Sequence, residues 1–85
     1  MNDKAQHIIG RFPVKSHTLA LHMAKNPEFL SLCEDYDVCA NALHYWSKST
    51  EPEAEIRIHE YRNLIRELEE EIMTLLAALE PRGLY

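Results

Sequence analysis

Two apolar stripes that keep the same step constrain this chain more than any other feature. From Ile58 to Leu79 the residues Ile58, Tyr61, Ile65, Leu68, Ile72, Leu75 and Leu79 recur at spacings of three and four, which places them on one narrow face of a helix. From Phe29 to Trp46 the same rhythm runs through Phe29, Leu32, Tyr36, Cys39, Leu43 and Trp46 without a slip. Each stripe is a heptad seam of about three repeats. Between them Ser47, Lys48, Ser49 and Thr50 carry no apolar period and read as a turn. Two helices with matching seams and a linker of about four to six residues meet only by folding back antiparallel.

Local signals set the boundaries. Pro27 pushes Asn26 out of the α region, and Asn26 is a good N-cap, so one helix ends and another begins there. Upstream, Pro13 suits a first-turn position and opens a short helix that ends near Lys25. Thr50 with Glu53 three residues on forms a capping box, with Pro52 tolerable in the first turn that follows. Pro81 and Gly83 stop the last helix near Glu80. The expectation is an all-α fold: a short helix over about 13–25, then an antiparallel helical hairpin over about 27–47 and 51–80. Residues up to Gly10 show no clear period and are left unassigned, since terminal segments without anchoring contacts are usually mobile. In this register Trp46 meets the start of the last helix near Ile58, and Phe29 meets its end near Leu75.

Length makes the fold a single small domain, because 85 residues sit near the lower limit for burying enough surface to fold alone. With only 2 Gly and 4 Pro the chain has few breakers, which suits long helices. A hydrophobic share of 46% against 27% charged residues is that of a soluble globular chain rather than a disordered one. A two-helix seam is nevertheless a thin core. Leu30, Cys33, Ala40, Leu64 and Leu76 widen the stripes beyond it, so a third surface is expected to cover them. The first helix, with Phe12, Leu19 and Met23, is the nearest candidate; a second copy completing a four-helix bundle is the other.

Charge and pattern remove several functions. A net charge of -5 with no Lys/Arg cluster repels phosphate backbones, which argues against nucleic acid. The opening MNDKAQHIIGRF has no apolar core behind a basic start, and nowhere do eighteen apolar residues run together. A cytoplasmic protein off the membrane is expected.

Catalytic and metal patterns are poor. His7, His17, His22, His44 and His59 contain no pair three or four apart. Glu55 and His59 have that spacing, yet a closed site wants about two more ligands from another helix, and an exposed helical pair accounts for them. Cys33 and Cys39, six apart on a helix, lie roughly 9 Å apart along the axis and point away from each other, so they read as reduced, packed thiols. Ser16 and His17 are adjacent without an orienting acid or oxyanion hole. No Gly-rich phosphate loop is present. No cofactor and no enzyme activity are expected.

Candidate contact residues are of two kinds. Glu69, Glu70 and Glu71 are the densest charge run, either a solvated flank of the seam or an acidic strip for a basic partner. Arg66 has the spacing to pair with Glu70, whereas Glu67 and Glu71 repel each other. Tyr45 and Trp46, beside the turn, either cap the core or form a partly exposed aromatic tip.

The segment FPVKSHTLALHMAKNPEFLSLCEDYDVCANAL resembles the YdcH-like family of short bacterial proteins of unknown function. Phe12-Pro13, Asn26-Pro27 with Phe29, Leu32, the stretch Glu34 to Tyr36 and Leu43 carry the resemblance, and EYRNLIRELEEEI resembles the family's charged closing helix. The chain departs from that pattern at Cys39-Ala40 and at Tyr45-Trp46. The resemblance implies a small helical hairpin with no catalytic residues. The function expected overall is non-catalytic protein–protein interaction or self-association. The competing expectation is a small metal or thiol redox sensor using Cys33, Cys39 and nearby histidines.

Overall fold

The computed structural model describes residues 6–79. Four helices follow one another: α1 (Gln6–Arg11), α2 (Ser16–Lys25), α3 (Pro27–Ser47) and α4 (Ala54–Leu79), with a single 3-10 turn at Pro13–Lys15 leading into α2. The α3–α4 pair is the frame, packed along an interface longer than any other in the molecule, and α1 and α2 lie across it. This is the expected all-α hairpin with a short helix before it.

Each boundary has a local cause. Asn26 is extended, at φ -129° and ψ 106°, and its side chain accepts the Phe29 N–H at 3.0 Å, while Pro27 occupies the first helical position. That satisfies one of the orphan donors of the new helix. The break also reverses direction enough for α2 to lie back on α3. The entry to α4 differs from expectation. Its first helical residue is Ala54, and the hydroxyl that caps the turn belongs to Ser49, which accepts the Glu51 N–H at 3.0 Å. Glu51 O then takes the Ala54 N–H at 3.0 Å. A local Ser-based turn therefore replaces the Thr50–Glu53 capping box, because Pro52, lacking an N–H, sits better in the turn than in a helix. The stop near Glu80, with Pro81 and Gly83, lies outside the described residues, as do residues 1–5.

The larger correction concerns the start of the chain. Gln6–Arg11, unassigned on sequence, is helical and anchored: Ile8 is fully buried. Its spacing to Ile9 and Phe12 covers barely one turn, too short for a period to show. Asp37 of α3 fixes the segment from outside, accepting the His7 backbone N–H at 3.0 Å and touching His7 Nδ1 at 2.5 Å. A side chain thirty residues away thus does the work of an N-terminal cap.

The core is one cluster of Ile8, Leu19, Phe29, Cys33, Tyr36, Ile72 and Leu76, with Phe12, Met23, Leu32, Ile65, Leu68, Leu75 and Leu79 packed against it. It sits where α1 and α2 cover the first half of α3 and the last half of α4. Cys33 and Leu76, which only widen the sequence stripes, are at its centre, since the third layer draws the core to that side of the seam. Toward the turn, Cys39, Leu43, Trp46, Ile58 and Tyr61 are half-buried between two helices alone.

Candidate functional site

The α3–α4 pair has two unlike sides. On the side under α1, Tyr36 donates its hydroxyl to Glu69 Oε2 at 2.7 Å, and Arg11 Nε donates to the same oxygen at 3.2 Å. The Arg11 guanidinium also stacks 4.9 Å over the Phe12 ring. Charge-assisted bonds of this type are stronger than neutral ones, and this one joins three helices at a single atom. It also fixes the register: seven residues back from Tyr36 is Phe29, seven on from Glu69 is Leu76, and both belong to the core. Burial above all, and then the Glu69 carboxylate, hold the Tyr36 phenol well above its ordinary range, with Arg11 pulling the other way.

Glu69 is therefore not part of a free acidic strip. It faces inward under α1, while Glu70 and Glu71 are exposed. Three consecutive helical residues point in three directions 100° apart, so a run in sequence is not a patch in space. Arg66 donates to Asn63 Oδ1 at 3.1 Å instead of reaching Glu70.

The other side of the pair carries no cover from α1 or α2. A groove runs along it in two parts that share Glu67 and Glu71. One part, about 580 Å³, is lined by Glu28, Leu32, Glu67, Glu70, Glu71, Thr74, Leu75 and Ala78. The other, about 400 Å³, is lined by Asp35, Val38, Cys39, Leu64, Glu67, Leu68 and Glu71. Its floor is apolar, with Val38 65% and Leu64 43% exposed. Its rim is acidic, and none of its lining residues is Lys, Arg or His. Sequence periodicity could not separate this side from the one beneath α1, because both flank the same seam.

The aromatic pair beside the turn divides. Trp46 is half-buried, and Tyr45, 57% exposed, meets it edge-to-face with centroids 5.0 Å apart and planes at 82°. Only Trp46 caps the seam. Tyr45 forms an exposed aromatic tip.

Both thiols are free, and both lie in the unbroken helix α3. Burial, reinforced by Glu34, pushes Cys33 up to about 11. Burial and Asp35 raise Cys39 as well, though Cys39 borders the groove. Neither environment favours a thiolate at neutral pH. Among the described residues no group of three or more His, Cys, Asp and Glu side chains converges on a metal-sized space. Glu55 and His59 are both exposed. No described helix is long and apolar enough to cross a membrane.

No family model matches the chain, nor does any curated protein or solved structure.

Proposed function

We propose that this chain is a non-catalytic helical-hairpin protein that acts by binding protein, a partner or a second copy, through the face of α3 and α4 that α1 and α2 leave bare. The carrying observation is the asymmetry of cover. One side of the pair is sealed by an apolar cluster and a three-residue polar clasp, while the other keeps Val38 and Leu64 in solvent over a continuous groove. A trough with an apolar floor between polar rims is the form in which one pair of helices receives another helix. Raised thiols, and the lack of clustered ligands among the described residues, support this above the metal or redox-sensor alternative. Membership of the YdcH-like family belongs to the same proposal. It is supported by the positions that shape the fold: Asn26 and Pro27 start α3, and Phe29 fills the core.

In-cell photocrosslinking tests it. A photoreactive residue at Val38 or Leu64 should give discrete adducts at native expression, and one at exposed Ala20, on α2, should not. Absence of adducts from both groove positions would remove the proposal.

A further inference from the structure

We propose that the occupant of the groove is a basic amphipathic helix of about four turns, supplied by another protein; this rests on the protein-binding role just proposed and names the partner's chemistry. Five carboxylates, Glu28, Asp35, Glu67, Glu70 and Glu71, line the groove with no basic residue among its walls. All five are exposed, and none is held by a cationic side chain within the described residues. Three of the chain's nine Lys and Arg are engaged away from the groove, Arg11 with Glu69, Arg57 with Glu60 and Arg66 with Asn63.

Charge then selects among possible occupants. A second copy docked by two-fold symmetry lays this acidic rim against itself, and like charges face to face oppose association. Anionic lipid and nucleic acid meet the same repulsion. A partner with an apolar stripe flanked by Lys and Arg meets attraction along both rims while its stripe covers Val38, Leu64 and Leu68. Shape selects a helix: a trough between two antiparallel helices receives a third by ridge-into-groove packing. From Leu64 to Ala78 the groove follows α4 for about 21 Å, the length of about fourteen helical residues.

The test uses the full chain and a panel of synthetic helical peptides of about fourteen residues, with Leu at spacings of three and four and Lys/Arg on the flanks. Their counterparts carry Glu at the flanking positions. Cys39 serves as a built-in reporter, since it borders the groove while Cys33 is fully buried. The basic peptides should bind at least about tenfold more tightly than the acidic ones, weaken as salt rises, and slow Cys39 alkylation at least about fivefold. Glu71→Lys should cut affinity about tenfold. It turns the Glu67–Glu71 repulsion into an attractive pair at spacing four, so its loss of binding is not a loss of fold. Glu55→Lys, exposed and on the face of α4 about 180° from Leu64, should leave binding unchanged.

Equal binding of basic and acidic peptides, no binding below about 1 mM, or binding that leaves Cys39 reactive overturns the assignment. A concentration-dependent dimer that protects Cys39 without peptide also overturns it, by giving the groove to a second copy. In that last case the protein-binding role itself stands, and adducts from Val38 and Leu64 identify it.

Discussion

Glu69 Oε2 receives two hydrogen bonds, from Tyr36 and from Arg11, and so couples three helices through one atom. Removing the phenol hydroxyl leaves a half-buried carboxylate with a single exposed partner. Tyr36→Phe should therefore cost about 1–3 kcal/mol in urea denaturation, despite keeping the ring in the core. A cost near zero would show that the clasp is incidental. Cys33 gives a prediction with a definite sign. Its folded-state value is raised to about 11 from an ordinary 9.0, so near pH 10 the unfolded chain releases a proton that the folded chain keeps. Stability is full below the unfolded value and falls as pH rises from about 9 toward 11, by at most about 1.4 kcal/mol per unit. Tyr36, raised too, adds to the fall above about pH 10. Cys39, raised from the same ordinary value, adds its own part, so Cys33→Ala should lose part of the decline between about pH 9 and 10 and the double variant Cys33→Ala with Cys39→Ala most of it, in urea midpoints taken across that range. An unchanged slope would mean that Cys33 reaches water in the folded state.

At the scale of elements, six residues of α1 matter beyond their number because Ile8 closes the core over α3. Ile8→Ala should cost about 2–4 kcal/mol, a large share of what a domain this small possesses. Val14→Ala, at a side chain 98% exposed, should change stability by less than about 0.5 kcal/mol. Thermal melts of the two variants decide whether α1 is part of the fold or an ornament on it. Sequence periodicity reveals α3 and α4 because their stripes persist for about three heptads, long enough for chance spacing to be excluded. The α2–α3 break is legible for another reason: Asn26 and Pro27 act on their own backbone. What stays hidden is set by distance. The cap on α1 comes from Asp37, thirty residues away, and no local pattern announces it. The displacement of the core toward Cys33 and Leu76 follows from where α1 and α2 lie, and a two-helix stripe holds no record of that. The groove is legible only as residue types. Glu67 and Glu71 are visible as a repelling pair, but their sharing one groove with Asp35 requires α3 to be laid beside α4.

The whole molecule is a rod rather than a ball. It extends 52 × 28 × 22 Å with a radius of gyration of 14.5 Å, against about 11 Å for a compact chain of its described length. A rod of this size buries little: among the described residues, Phe29, Ile8, Leu19, Ile72 and Cys33 are the large side chains wholly removed from water. Such a chain gains from every favourable surface charge, yet it gathers along one groove five carboxylates that no cation among the described residues pairs. Two origins of that arrangement give opposite results. If the acids serve the fold, neutralising them weakens it. If they serve a partner, the free chain bears their mutual repulsion, and relieving it strengthens the chain. The uncompensated rim and the Glu67–Glu71 spacing favour the second origin. The double variant Glu67→Gln with Glu71→Gln should therefore be more stable than the parent by a few tenths of a kcal/mol at low salt, with the gap closing as salt screens the repulsion. Urea midpoints at about 0.02 M and 0.5 M NaCl measure both effects. A double variant less stable than the parent at low salt would return these carboxylates to the architecture and detach them from recognition.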